Sequence, residues 1–432
     1  MEKTTATPFA KPLYVMLKPA SSHCNMACEY CYYLEKKHLY EDGNHHLMSD
    51  EMLEYFTKEY IEAQTMDSVL FTWHGGEPLM RPLDFYKKAM ALQRKYACGR
   101  HIDNVLQTNG ILLTDEWCEF LAQNHWLVGI SIDGTQDMHD HYRHTASGKP
   151  SWEQVMHGIE LLKKHHVEWN AMAVVNDYNV EHPLEFYHFF KEIGCQYLQF
   201  TPIVERIVKT KEGSRLASLR NREDELGFKA EDYELASLTD NDDKLARLRT
   251  DTALSNSSIT PEQWGNFLCT IFDEWVRHDV GHIFVEIFDC TLANWVGVAP
   301  GICAYGKECG HAGVMEYNGD VYSCDHFVFP EYKLGNVMEK SLIEMLYGEK
   351  QQAFSRLKHA SLPRQCKECD MEFACHGECP KNRFEVDRYG EWGLNYLCRG
   401  YYQFYTHVAP AMDFMKRELQ AGRAPANIMR AL

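Results

Sequence analysis

Three cysteines, Cys24, Cys28 and Cys31, fall within eight residues, and no fourth follows until Cys98. A thiolate is a soft-metal ligand, so this short spacing points to bound metal. A structural zinc site and a closed iron–sulfur cluster each take four ligands. Two readings stand on the residues alone. Either His23 or a distant side chain completes a zinc site, or three thiolates hold a four-iron, four-sulfur (4Fe–4S) cluster whose fourth iron stays open for a chelating molecule.

A second array follows: Cys303, Cys309 and Cys324, then Cys366, Cys369, Cys375 and Cys379, then Cys398. Eight thiols suffice for two fully ligated clusters or for two four-cysteine zinc sites. A closed cluster offers substrate no open iron, but it can move electrons. Five of the sixteen cysteines remain: Cys98, Cys118, Cys195, Cys269 and Cys290. They lie in or beside apolar runs, so we expect buried small hydrophobes.

The elements that position these groups alternate. LYVMLKPA reads as a strand ending just before Cys24, and Asp50 reads as the cap of a helix with Leu53, Phe56 and Tyr60 on one face. SVLFTW, NVLQ, WLVGISI, NAMAVV and QYLQFTPIV continue the strands. PLDFYKKAMALQRKYA, TDEWCEFLAQN, SWEQVMHGIELLKKHH and PLEFYHFFKEI supply the helices, for six strands and five helices in all. Apolar strands alternating with helices predict an α/β fold with a parallel sheet. Each strand runs into a polar or glycine-rich tip: the cysteine loop, HGGEP, QTNG, SIDG, VND and TPIVE. Chemistry spread over every strand end belongs to a barrel, whereas a doubly wound sheet gathers it at one switch point. We therefore expect a partial (β/α)6 TIM-like barrel, open on one side and able to admit a polypeptide.

Residues 206–260 are rich in charge and in Ser, Asn and Thr, and read as a partly helical insertion. TPEQWGNFLCTIFDEWVRHD then predicts a helix with Pro261 in its first turn. The expected division is a barrel over 1–235, a helical connector over 236–295, a cysteine-rich auxiliary domain over 296–410 and a helical tail over 411–432.

The net charge of −18 argues against a nucleic-acid partner. No run of 18 apolar residues predicts a membrane span, and the N-terminus lacks an apolar signal region. A cytoplasmic location is expected, where cysteines bind metal or stay free.

The pattern Cys-x3-Cys-x2-Cys, with Tyr30 before the last cysteine, resembles the signature of the radical S-adenosylmethionine (SAM) enzymes. That resemblance implies a cluster whose open iron is chelated by the amino and carboxylate groups of SAM, and cleavage of SAM to a 5′-deoxyadenosyl radical. FTWHGGEPL, with His74, Gly75, Gly76 and Glu77, resembles the loop that holds the SAM amino group. In the same way Ser131 of SIDG implies a polar contact to SAM, and Arg143 a partner for its carboxylate. Gln107, Thr108 and Asn109 imply contacts to adenosine. The C-terminal array resembles the SPASM extension. It implies one auxiliary cluster on Cys303, Cys309, Cys324 and Cys379, another on Cys366, Cys369, Cys375 and Cys398, and three 4Fe–4S clusters in total.

Over nearly the whole chain, including PLYVMLKPASSHCNMACEYCYYLEK and CDHFVFPEYKLGN, the resemblance is to the anaerobic sulfatase-maturating enzymes. It implies oxidation of Cys or Ser in a Cys/Ser-x-Pro/Ala-x-Arg motif to Cα-formylglycine without oxygen. It also implies Asp325 as the base; His326, next in the chain and an imidazole able to take a proton near neutral pH, is the substitute. The implied partners are an unfolded or nascent sulfatase and a flavodoxin- or ferredoxin-like electron donor. Two rivals remain. A thioether-forming peptide maturase would carry a winged-helix domain ahead of the barrel, for which residue 24 leaves no room. An iron–sulfur electron carrier would need no SAM pocket.

Overall fold

The computed structural model describes residues 13–33, 36, 40, 46–210, 213–216 and 252–432. The chain opens with β1 (Tyr14–Lys18), α1 (Asp50–Ala63), β2 (Ser68–Trp73), α2 (Leu83–Tyr96), β3 (His101–Thr108) and α3 (Asp115–Gln123). It continues with β4 (Leu127–Ser131), α4 (Gln136–Asp140), α5 (Trp152–Lys164), β5 (Glu168–Val175), α6 (Pro183–Glu192) and β6 (Tyr197–Pro202). Each of these strands pairs in parallel with the next. Spatial order therefore equals chain order, as in a barrel wall, with none of the reversal of a doubly wound sheet. The wall is six strands long, so it is a partial barrel.

Apolar burial explains why these segments form these elements. Val15 and Leu17 of β1 are buried, as are Leu53, Phe56 and Tyr60 of α1. Trp73 at the end of β2 stacks on Trp126, ring centroids 6.2 Å apart. The details depart from expectation in four places. Ser49 caps α1 by accepting from Met52 N–H (3.1 Å), and Asp50 is the first helical residue, where a carboxylate suits the positive end of the helix. Strand β3 spans eight residues where NVLQ covers four, because the polar His101 and Asp103 mask its start. Cys98 is exposed in the turn after α2, while Cys118, Cys195, Cys269 and Cys290 are buried. The short α4, which the apolar pattern did not predict, precedes α5 in the same connection.

Beyond β6, β7 (Arg206–Thr210), β8 (Gly213–Leu216) and β9 (Thr252–Leu254) form a separate three-stranded antiparallel sheet. The described part of the insertion is thus strand over 206–210, 213–216 and 252–254 and irregular over 255–260. Its expected helical part and the 235/236 division lie outside the described residues. Helix α7 (Pro261–His278) starts with a reciprocal Thr260–Gln263 capping box. Next come β10 (Phe284–Val285) and α8 (Glu286–Val296).

The main sheet continues past both ends of the barrel wall. On the β6 side β10 adds in parallel. On the β1 side β11 (Ala312–Glu316) adds in parallel, with Lys18 opposite Glu316, followed by antiparallel β12 (Asp320–Tyr322) and β13 (Lys333–Asn336). The cysteine-rich region is therefore stitched to the strand that leads into the first cysteine loop. A small antiparallel hairpin, β14 (Arg383–Val386) and β15 (Trp392–Asn395), lies between Cys379 and Cys398. The last long helix, Cys398–Gln420, packs on α7 and runs unbroken through residues 410 and 411, with Pro410 inside it. Among the described residues, no helix is long and apolar enough to cross a membrane.

Candidate active site

The cysteine loop leaves β1 at Lys18 and turns at Ser21, whose φ of 48° is left-handed. The tip of β2 lies beside it. Gly76 N–H donates to Ser21 O (2.6 Å) and Glu77 N–H to His23 O (2.8 Å). A Cβ on Gly76 would stand 2.6 Å from the Ser22 carbonyl carbon, so only glycine fits. Here the glycine serves close approach to the cysteine loop itself. Glu77 is fully buried. Its Oε1 accepts from Leu79 N–H (2.9 Å) and the Thr108 hydroxyl (2.7 Å), and its Oε2 from Asn109 N–H (2.8 Å). Burial pushes its carboxyl up to about 7 against these donors. Three protein donors thus already engage the carboxylate expected at the SAM ammonium, and it ties the β2 tip to the β3 tip. Asn109 Nδ2 donates to Asn25 Oδ1 (2.8 Å) and lies 3.8 Å from Cys24 Sγ.

Cys24, Cys28 and Cys31 stand within electrostatic reach of one another. They pack with Met26, Tyr30 and Ile203 over the tips of β5 and β6. Beneath them Tyr30 donates to Asp133 Oδ2, and Arg143 Nη1 donates to Tyr30 Oη (2.9 Å). Arg143 also faces Asp133 at 3.9 Å and the Cys28 thiol. His139, fully buried, braces this group by accepting from Asp133 N–H (3.3 Å). Gln107 Nε2 donates to Ser131 Oγ (3.0 Å), joining the tips of β3 and β4.

A second constellation lies between the cysteine loop and the auxiliary region. Asp325 accepts from Tyr32 (2.6 Å) and from Tyr33, and forms an ion pair with Lys18. Lys36 donates to the Asp325 backbone carbonyl (2.6 Å). Lys18 sits 3.7 Å above the Tyr33 ring centroid. Burial by itself would raise the Asp325 pKa, but Lys18 and Lys36 outweigh it and hold the carboxyl well below the usual range. His74 faces Lys18, Asp325 and Lys36, and burial with the lysine charges pushes its imidazole down to about 4. His74 therefore belongs as much to the Asp325 group as to the glycine loop. His326 is turned away: its ring meets Tyr32 edge-on at 5.6 Å, and its Nδ1 is 3.8 Å from Cys379 Sγ.

The eight later cysteines fall into two neighbourhoods. Cys303, Cys309, Cys324 and Cys379 interact electrostatically as one group. Cys366, Cys369, Cys375 and Cys398 do so as another. Among the described residues, no three His, Cys, Asp or Glu converge closely enough for a single metal ion. Four thiols in each neighbourhood match the donor number of a closed four-iron cluster. For SAM, Arg143 offers a fit: its Nε is buried without a hydrogen-bond partner among the described residues, leaving a donor for a carboxylate.

Sequence reasoning missed Lys18, Lys36, Tyr32, Tyr33, Asp133 and His139. One signal was available. Lys18 ends an otherwise apolar barrel strand, and charge at a barrel strand's C-terminal tip points to function.

Residues 19–190 match the radical SAM superfamily, and residues 308–370 match an iron–sulfur cluster-binding domain, SPASM. The chain is 63% identical over 432 residues to a serine-type anaerobic sulfatase-maturating enzyme of Bacteroides thetaiotaomicron, covering all of this chain and 98% of the relative. It is 31% identical to a serine-type enzyme of Klebsiella aerogenes, covering 96% of this chain and 89% of that one. The solved structure of native anSMEcpe with bound AdoMet and Cp18Cys peptide superposes with a TM-score of 0.76 at 28% identity, covering 94% of this chain and 99% of that one. The strand-tip cysteine loop, the two later cysteine neighbourhoods and these full-length similarities lead to one assignment: the chain belongs to the anaerobic sulfatase-maturating enzymes of the radical SAM superfamily.

Proposed function

We propose that this chain is a serine-type sulfatase-maturating enzyme. It oxidises serine in the Cys/Ser-x-Pro/Ala-x-Arg motif of an unfolded or nascent sulfatase to Cα-formylglycine under anaerobic conditions. Full-length 63% identity to a serine-type relative carries the reading. Cys24, Cys28 and Cys31 would hold the cluster that binds SAM. Cys303, Cys309, Cys324 and Cys379 would hold a second cluster, and Cys366, Cys369, Cys375 and Cys398 a third. SAM would lie among Gly75, Gly76, Glu77, Gln107, Asn109, Ser131 and Arg143, with Tyr30 bracing Arg143 and His74 at the junction with Asp325.

Serine becomes the aldehyde by losing a hydrogen atom from Cβ, a proton from its hydroxyl and one electron. When bound, the cofactors supply hydrogen-atom abstraction and an exit for the electron. The chain's own task is the proton. Asp325 is ionised, and its side chain is 16% exposed, so a substrate hydroxyl can reach it. Oδ1 is taken by Tyr33 and Lys18, whereas among the described residues Oδ2 accepts from Tyr32 alone and keeps lone-pair capacity for a substrate hydroxyl. Lys18 and Lys36 make Asp325 a weak base toward an ordinary hydroxyl. A hydroxyl on a carbon radical is far more acidic, so proton transfer becomes favourable only after hydrogen abstraction. The lysines thereby order the two losses, and Asp325 is the catalytic base.

We place the reaction in the cytoplasm, where the thiols stay reduced, with a flavodoxin- or ferredoxin-like protein as electron donor. The test is to incubate the reduced enzyme and SAM with matched peptides bearing Ser or Cys at the target and to weigh the products. A mass loss of two hydrogens from the Ser peptide is expected. Turnover of the Cys peptide alone would overturn the serine-type reading.

A further inference from the structure

Between Cys375 of one auxiliary set and Cys379 of the other lie only His376, Gly377 and Glu378. All three are left-handed, with φ of 47°, 67° and 54°. For His376 and Glu378 this conformation is costly and needs outside support. Arg383, at the start of β14 and nearly buried, supplies it. Its Nε donates to Gly377 O (2.9 Å), and its Nη2 donates to His376 O (2.8 Å) and Glu378 O (2.9 Å). Every carbonyl of the strained turn is thus held by one guanidinium.

The remaining arm of the fork, Nη1, donates to the carbonyl of Lys358. Lys358 is itself buried, and its ammonium donates to the carbonyls of Cys303, Ala304 (2.6 Å) and Gly306. Two cations in series therefore fasten the Cys303 turn to the Cys375–Cys379 link. The charge of Arg383 faces the thiols of Cys375, Cys366 and Cys379. Gly377 is matched to it, because a Cβ there would stand 2.7 Å from Arg383 Nη2. A lysine cannot reproduce a planar fork spanning four carbonyls.

We propose that Arg383 is a positioning residue for electron transfer: it clamps the strained turn that joins the two auxiliary cysteine sets, fixes their relative placement and keeps a buried positive charge beside both. This rests on the reading of those sets as cluster ligands. Positive charge and hydrogen bonding near a cluster favour its reduced form, so the clamp sets potential as well as geometry.

The test uses the full chain, reconstituted anaerobically. A Cys24→Ala, Cys28→Ala, Cys31→Ala parent isolates the auxiliary signals. Arg383→Lys, Arg383→Gln and Gly377→Ala are added singly, and iron content, reduction potentials and the spin–spin interaction between the reduced clusters are measured by redox titration and electron paramagnetic resonance. Arg383→Gln should shift the auxiliary potentials to more negative values. Arg383→Lys should keep them near the parent's while changing the spin–spin interaction, and Gly377→Ala should change that interaction too. In the otherwise wild-type chain, Arg383→Gln should slow product formation by about 10- to 100-fold, as loss of an outer-shell partner does. Parent-like potentials and coupling at full iron content in both Arg383 variants would overturn the proposal. If Arg383→Gln loses iron, the other two variants decide: unchanged coupling in both overturns the clamp, and altered coupling in either supports it. A wild-type chain holding only about four irons would instead sink the auxiliary-cluster reading.

Discussion

Lys18, the last residue of β1, forms a buried ion pair with Asp325, the residue that follows Cys324. The pair joins the strand that launches the first cysteine loop to the turn that carries an auxiliary cysteine. It exists because β11 adds to β1 in parallel and brings the later segment alongside. Glu316 lies opposite Lys18 in that register and shares its charge.

Breaking this pair should be costly. Lys18→Met leaves the Asp325 carboxylate without its direct cation, since Lys36 reaches only the backbone carbonyl. A loss of about 3–5 kcal/mol is expected when one partner of a buried pair is removed. Thermal unfolding of Lys18→Met, Asp325→Asn and the double variant checks this, and the double variant should recover part of the loss. Additive single effects would mean that the two residues are not coupled.

Asp325→Asn keeps size and some hydrogen bonding, but the amide cannot take the substrate proton. Formylglycine production should fall by roughly 100-fold or more, while SAM cleavage falls less. The measurement is formylglycine formed per 5′-deoxyadenosine released, beside wild type. Full rate at an unchanged ratio would place the base elsewhere.

Metal content gives a third check. Three four-iron clusters imply about twelve irons per chain, and replacing Cys24, Cys28 and Cys31 together by Ala should leave about eight and abolish SAM cleavage. Iron analysis and a cleavage assay suffice. Retained SAM cleavage in the triple variant would refute the assignment of the first cysteine loop.

Glu77→Gln probes the tie between strand tips. Gln lacks the second carboxylate oxygen that accepts from Asn109 N–H. A buried donor left unpaired costs about 1–3 kcal/mol. Affinity for SAM should weaken because Asn109, whose side chain donates to Asn25 of the cysteine loop, loses its anchor at the β3 tip, and calorimetric titration with SAM reads the effect. Unchanged affinity would confine Glu77 to local packing.

Local chemistry was legible in the chain. Short cysteine spacings mark metal ligands because nearby residues cannot avoid one another. The six strands and their helices followed from apolar periodicity, since burial acts on each element separately. His101 and Asp103 hid the start of β3 because polar residues at a half-buried strand carry no such signal. Resemblance, not spacing, sorted the eight later cysteines into sets, because each set draws on segments far apart in sequence.

What only the tertiary structure decided is the neighbourhood of Asp325. Its pairing with Lys18, Tyr32 and Tyr33 depends on β11 docking beside β1, a register that no local pattern encodes. The same holds for Glu77, whose carboxylate looked free for a ligand until folding surrounded it with three donors. Sequence alone determined which residue types stand ready at the strand tips. The long-range pairing of strands, driven by burial of both sheet faces, determined which of those residues meet.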